Sequence, residues 1–134
     1  MIDPTVMKIG KQLVELCQHG KHLEAVNTLY SKDIVSIEPF SDENMPARME
    51  GIEAIRGKNE WWLNAHEVHG GTTRGPWPNG NQFVAHFTMD VTAKEGPMKG
   101  KRMNLEEVAL YTVKDGKIVQ EQFFCDLSDM PGMG

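Results

Sequence analysis

The sequence predicts an α+β fold in which three N-terminal helices pack on one face of a strongly curved, mostly antiparallel sheet. Two observations support this prediction. Apolar residues at helical spacing dominate the first half of the chain, and alternating, strand-like stretches dominate the second half. The turn sequences "WPNGN" and "KDG" separate the later strands. Because helices on one side of a sheet tend to leave a conical space between the layers, we expect an internal pocket for a small ligand.

Three helices are predicted from start and stop signals and from apolar spacing. Asp3 is suited to cap the first helix, Pro4 to begin it and Gly20 to end it. A second, shorter helix is predicted at about residues 21–30, and a third at about residues 51–67.

The strands are predicted from alternating apolar stretches and the turns between them. Residues 33–40 form a first strand that Pro39 ends, and the polar segment 41–50 is predicted to be a loop or flap. Four further strands are expected at about residues 68–77, 82–92, 102–113 and 117–126. The last residues, "LSDMPGMG", have the composition of a flexible tail. We therefore divide the chain into a domain of residues 1–126 and a tail of residues 127–134.

Length and charge limit the possible partners. A chain of 134 residues is most economically a single domain. The net charge of -5 and the scattered lysines and arginines argue against nucleic acid or an anionic membrane as a partner. The two cysteines, Cys17 and Cys125, are too few for a disulfide framework. Since neither a signal peptide nor a membrane-spanning run is evident, we expect a cytoplasmic protein.

Four stretches of the chain carry a family resemblance: "LYSKDIVSIEP", "MEGIEAIRGKNEWW", "FVAHFTMDVTAKEG" and "EEVALYTVKDGKIVQEQFF". The quoted stretches lie between Leu29 and Phe124, and the resemblance covers roughly residues 12–126. In the order and the sequence of these stretches, the chain resembles the SnoaL-like branch of the NTF2-like superfamily, whose fold is a cystatin-type α+β barrel. The resemblance implies three N-terminal helices on a bent sheet, a pocket at the wide end of the cone, and a homodimer formed through the outer sheet face.

Carboxylates in the last predicted hairpin are the main candidates for chemistry. Alternation places Glu106 and Glu107 on opposite faces of one strand, and the turn register decides which of them shares a face with Glu121. A plain two-residue turn at Asp115-Gly116 would join Glu121 with Glu106. A glycine bulge at Gly116, which pairs Val113 with Lys117, would join it with Glu107. We favour the bulge.

With the bulge, two carboxyls and the phenol of Tyr111 share one surface and suit acid–base chemistry. Burial and a second carboxylate raise the pKa of a carboxyl, and a carboxyl that titrates near neutrality can remove a proton next to a carbonyl. We therefore predict Glu107 or Glu121 as the base, with Tyr111 or His86 as the hydrogen-bond donor. The alternative is that these acids lie on a solvent-exposed face of the sheet or in a dimer interface.

The pocket is expected to be lined by aromatic and apolar side chains. Trp61 and Trp62 point in different directions from one helix, so we expect one to lie in the core and the other either to form a pocket wall or to pack on a neighbour. The predicted lining residues are Trp61, Trp62, Phe40, Phe123 and Cys125. The histidine pairs "HGKH" and "HEVH" lack the spacing and third ligand of a zinc site, so no metal and no cofactor are predicted.

These features favour a small-molecule-binding protein of the SnoaL-like type. Its expected chemistry is cofactor-independent isomerisation, cyclisation or dehydration of a hydrophobic carbonyl compound. Epoxide hydrolysis is not expected, because those relatives carry an Arg-Asp pair where this chain has Gln122 and Phe123. The alternative function is a non-catalytic module of the same fold that carries a ligand or contacts another protein.

Overall fold

Three helices lie in the first half of the chain, as the sequence predicts. The computed structural model describes residues 3–41 and 45–126, so the predicted tail at 127–134 lies outside the described residues. The helices are α1 (Pro4–Gln18), α2 (His22–Leu29) and α3 (Ile52–Ala65). Asp3 caps α1 as expected, because its carboxylate accepts a hydrogen bond from the backbone N–H of Thr5 at 2.8 Å.

The strands form one sheet of six in the order β2-β1-β6-β5-β4-β3. Neighbouring strands pair antiparallel, except for β1 and β6, which are parallel. The strands are β1 (Tyr30–Ile37), β2 (Arg48–Glu50), β3 (His66–Asn79), β4 (Gln82–Ala93), β5 (Arg102–Lys114) and β6 (Lys117–Phe124). The predicted α+β class and the mostly antiparallel sheet are therefore confirmed.

Two predicted boundaries were wrong near β1. The strand begins at Tyr30, three residues before the predicted start, because the chain passes from the end of α2 directly into extended backbone. Within the segment predicted to be a loop, Arg48–Glu50 forms β2, while residues 42–44 lie outside the described part. This strand of three residues has too little pattern to be found in the sequence, and its pairing with β1 sustains it.

The hairpin between β5 and β6 has a different turn from the predicted one. Asp115 and Gly116 both adopt positive φ, at 52° and 77°, which is typical of a two-residue hairpin turn. Lys114 therefore pairs with Lys117. The predicted glycine bulge at Gly116 was wrong.

A bulge at another position of β6 nevertheless places Glu121 on the predicted face of the sheet. The register shifts between the pair Val113–Ile118 and the pair Thr112–Gln120, which leaves Val119 as one extra residue on β6. Because one extra residue reverses the alternation, Glu121 lies opposite Tyr111 and on the face that carries Glu107.

The inner face of the sheet is closed by α1 and by aromatic side chains. A Cβ on Gly10 of α1 would lie 2.8 Å from Cβ of Pro76, so the helix can approach β3 this closely only with glycine. Tyr111 stacks on Phe83 with 4.9 Å between ring centroids, and both side chains are buried. This part of the space between helices and sheet is thus filled by the protein itself. In the two described ranges, no helix has the length and apolar character needed to cross a membrane.

Candidate acid–base site

Glu121 is the centre of a buried hydrogen-bond network. Its side chain is on β6, and the residue is only 2% exposed. The parallel pairing of β1 and β6 places Ser36 directly opposite it, and the Ser36 hydroxyl donates to Oε1 at 2.8 Å. The Tyr30 hydroxyl donates to Oε2. Both carboxylate oxygens therefore have donors, as a buried carboxylate requires.

Lys58 of α3 extends this network towards the helix layer. Its Nζ donates to Oγ of Ser36 at 2.6 Å and to Oε1 of Glu38 at 2.8 Å, and it lies 3.8 Å from Oε1 of Glu121. Burial raises the pKa of Glu121, while the Lys58 ammonium and the hydroxyls of Tyr30 and Ser36 oppose that rise. The hydrogen bonds and the nearby ammonium therefore offset part of the cost of burying this carboxyl.

Glu107 lies on the same sheet face but in a different environment. It is half-buried, and among the described residues nothing lies within hydrogen-bond distance of its carboxyl. Burial, and to a smaller extent the negative charges of Glu38 and Glu121, raise the pKa of Glu107 to about 7, while the Lys58 ammonium opposes this rise. A carboxyl that titrates near neutrality is present both as acid and as base at physiological pH.

The raised pKa of Glu107 predicts a pH-dependent loss of stability. The unfolded chain releases this proton near pH 4.5 and the folded chain near pH 7, so the folded state binds more protons between these values. The contribution of Glu107 to the free energy of unfolding is therefore fully present below pH 4.5. It decreases as the pH rises from 4.5 to 7 and does not change further above pH 7. The loss is at most about 3 kcal/mol.

Urea unfolding of the wild type and of Glu107→Gln at pH 5 and pH 8 measures this effect. The glutamine variant has no carboxyl to titrate. The difference between its free energy of unfolding and that of the wild type should therefore shift in favour of the variant as the pH rises from 5 to 8. The exposed Glu60 of α3 supplies the control, since Glu60→Gln should follow the wild type. An unchanged pH dependence in Glu107→Gln would exclude the raised pKa.

Tyr111 does not lie where a substrate donor would have to be. It is 2% exposed, and its ring stacks on the buried Phe83. Burial raises its pKa well above the ordinary value, as do the charges of Glu121 and other neighbours. Because a ligand cannot reach this hydroxyl, the prediction of Tyr111 as an oxyanion donor is corrected.

His86 lies on the opposite face of the sheet from the two carboxyls. It pairs with Val108 on β5, whereas Glu107 pairs with Phe87, so alternation separates them. Its Nε2 lies 2.9 Å from Oε2 of Glu106, and in the described ranges its buried Nδ1 has no partner. The prediction of His86 as a proton carrier in this site is corrected for that reason.

Two of the predicted lining residues lie near the carboxyls. Phe123 follows Glu121 on the same face of β6, and its ring centroid is 5.2 Å from Nζ of Lys58. Cys125 is half-buried, and its pKa is raised by burial and then by the charges of Glu107 and Glu38. The thiol therefore lies in the field of the same acids.

The other three predicted lining residues are Trp61, Trp62 and Phe40. Trp61 is 43% exposed, and Trp62 stacks on His66 with 4.3 Å between ring centroids. Trp62 is also one helical turn beyond Lys58, so both project from one side of α3. Phe40 is half-buried just after β1. Their contact with a ligand stays a prediction.

Sequence reasoning missed four members of the network: Tyr30, Ser36, Glu38 and Lys58. Alternation gave no signal for Ser36 in β1 or for Glu38 just after it, because polar residues that alternate with apolar ones usually face solvent. Lys58 lies three residues after the buried Ile55, where an amphipathic helix normally carries an apolar side chain. A charged residue at such a position needs a buried partner.

Two surface depressions are lined by residues of α1, the turn after it and α2, and neither is lined by the carboxyls. The internal pocket for a small ligand therefore stays a prediction.

The comparisons identify relatives along nearly the whole chain. Residues 5–125 match the SnoaL-like domain family. A protein from Mesorhizobium loti, provisionally named a SnoaL-like polyketide cyclase, is 42% identical with a TM-score of 0.81 over 87% of this chain and 96% of its own. An NTF2-like protein of unknown function from Burkholderia pseudomallei is 17% identical, with a TM-score of 0.74 over 98% of each chain. A Bacillus subtilis protein provisionally named an isomerase is 18% identical, with a TM-score of 0.63 over 91% of this chain and 84% of its own. No curated protein matches the chain.

Proposed function

Because its match to the SnoaL-like domain covers nearly the whole sequence, the chain belongs to that family, and we propose that it acts on a small hydrophobic carbonyl compound with Glu107 as the general base. The observation that carries this proposal is the state of Glu107. Its carboxyl is half-buried, has no hydrogen-bond partner among the described residues and has a pKa of about 7. Glu121, in contrast, is enclosed by its own donors and acts as a positioning residue.

The proposed reaction begins with removal of a proton from the carbon next to the carbonyl. The C–H electron pair moves into the new C=C bond, the carbonyl oxygen takes the negative charge, and Glu107 holds the proton. Return of that proton to another carbon would give isomerisation. Attack of the enolate on a second carbonyl would give cyclisation, and loss of a β-hydroxyl would give dehydration. The relatives named as a cyclase and an isomerase support this class of reaction.

Exchange of α-protons in D₂O tests the proposal without knowledge of the natural substrate. A simple apolar ketone such as 2-tetralone is incubated with the protein, and loss of its α-proton signals is followed by ¹H NMR. The protein should accelerate exchange above the rate in buffer of the same pH. A panel of apolar ketones that all exchange at the buffer rate would contradict the proposal.

One observation favours a second function, that of a non-catalytic binding module. The inner face near Glu121 is occupied by the buried side chains of Tyr30, Tyr111 and Phe83. In this case the protein would carry a smaller ligand or contact another protein. Native mass spectrometry of the freshly purified protein would reveal a retained ligand, while the ketone exchange assay would show no catalysis.

We also propose that two copies associate through the outer face of the sheet. Trp77 is 50% exposed and Phe124 is 47% exposed, and both lie on this face beside Val84 and Val108. Large exposed aromatic groups of this kind mark contact surfaces. We expect a dimer by size-exclusion chromatography with light scattering, and Phe124→Glu should shift it to the monomer.

A charge on a different surface is the control for this shift. Leu63 of α3 is exposed to a similar degree, so Leu63→Glu adds the same charge away from the sheet. It should leave the dimer intact. A monomeric wild type, or equal effects of the two substitutions, would overturn the proposed interface.

A further inference from the structure

We infer that Lys58 is the oxyanion donor of this site, and that the carbonyl oxygen of the substrate binds at its ammonium group. This inference rests on the proposed function, since it concerns the charge that proton removal by Glu107 creates.

The ammonium of Lys58 has one hydrogen available for a ligand. A protonated lysine carries three N–H donors. Two of them are used by Oγ of Ser36 at 2.6 Å and by Oε1 of Glu38 at 2.8 Å. Within residues 3–41 and 45–126, no acceptor lies within hydrogen-bond distance of the third. The two bonds hold the ammonium in place, and Oε1 of Glu121, at 3.8 Å from Nζ, lies beyond hydrogen-bond distance.

The charges around Glu107 require a cation when the substrate loses a proton. Glu38 and Glu121 are both negative groups that act on Glu107, whereas Lys58 is the cation that opposes them. An enolate oxygen formed beside these carboxylates would be repelled by them. Contact with Lys58 would replace that repulsion by attraction, and the effect would be larger in the transition state than in the neutral substrate.

The surroundings of Lys58 strengthen its attraction for an anion. Its side chain is 10% exposed, and its Nζ lies 5.2 Å from the centroid of the Phe123 ring. Shielding from water strengthens interactions between charges. Glu38, Ser36 and Glu121 are therefore positioning residues in this scheme, because they act on the substrate through Lys58.

A 1,3-diketone is a suitable probe, because its enolate absorbs at a longer wavelength than its enol. Benzoylacetone is titrated with the wild type and variants, and absorbance reports how much of the bound diketone is ionised. Wild-type protein should bind the enolate at a pH where the free diketone is still protonated. Lys58→Met should weaken enolate binding by about 100-fold, the scale of one lost oxyanion donor. Lys58→Arg keeps the charge and should retain most of the affinity.

The variants separate this inference from the proposed function. Glu107→Gln removes a negative charge, so it should bind the enolate at least as well as the wild type while losing ketone exchange. If Lys58→Met binds the enolate like the wild type, the inference is overturned even when Glu107→Gln lacks exchange. If Glu107→Gln retains exchange, the proposed function fails whatever Lys58 does. Should Lys58→Met not fold, the wild-type spectrum decides, because a bound diketone in its neutral enol form overturns the inference.

Discussion

Glu107→Gln should lower the rate of α-proton exchange in an apolar ketone by about 100- to 10,000-fold, the usual contribution of a general base. The reason is chemical, since a glutamine amide has nearly the shape of the carboxyl but cannot accept the proton. The folded structure should persist, because Glu107 makes no hydrogen bond to another described residue. ¹H NMR of the ketone in D₂O measures the rate, and circular dichroism verifies the fold.

The neighbouring residue supplies a matched control. Glu106 has the same side chain, precedes Glu107 directly and lies on the opposite sheet face, where it contacts His86. Glu106→Gln should therefore exchange the ketone at the wild-type rate. Equal losses in both variants would point to a general effect of charge on the sheet, and no loss in Glu107→Gln would remove this residue from the chemistry.

Glu121→Leu is expected to cause the largest loss of stability, about 3–5 kcal/mol, which is typical when one partner of a buried charged group is removed. The Tyr30 and Ser36 hydroxyls would lose their acceptor while remaining buried, and Lys58 would lose a nearby negative charge. Unpartnered buried polar groups carry a full desolvation cost. Urea unfolding at pH 7 measures the difference.

The control for this substitution is the next residue of β6. Gln122 is half-buried and points to the other face, so Gln122→Leu should change stability by less than about 1 kcal/mol. Tyr30→Phe and Ser36→Ala, which each remove one donor, should cost about 1–3 kcal/mol. A loss below about 1 kcal/mol in Glu121→Leu would mean that the network does not stabilise the fold.

The fold could be predicted well because its signals are local. The cap at Asp3, the apolar spacing of three helices and the turns between strands are all visible in short windows of sequence. The strand β2 could not be predicted in this way, since it exists through its pairing with β1. The face of Glu121 was predicted correctly for a wrong reason, because a bulge at Val119 replaced the one expected at Gly116.

The candidate site was predicted only in part, because most of its contacts join distant segments. Alternation within one hairpin could place Glu107 and Glu121 on one surface. It could not show that β1 lies beside β6, and without this parallel pairing Ser36 and Tyr30 have no visible relation to Glu121. The same limit applies to Lys58, whose role depends on how α3 lies over the sheet.

The parallel pairing of β1 with β6 also has a consequence for how the protein folds. Residues 30 and 121 bond to each other across 91 positions of sequence, and residues 36 and 121 across 85. Contacts of such long range slow folding, because a large loop must close before they form. During synthesis β1 leaves the ribosome long before β6 exists, so Tyr30 and Ser36 initially lack the partner that they have in the folded protein. The network around Glu121 therefore cannot form before β6 has been made.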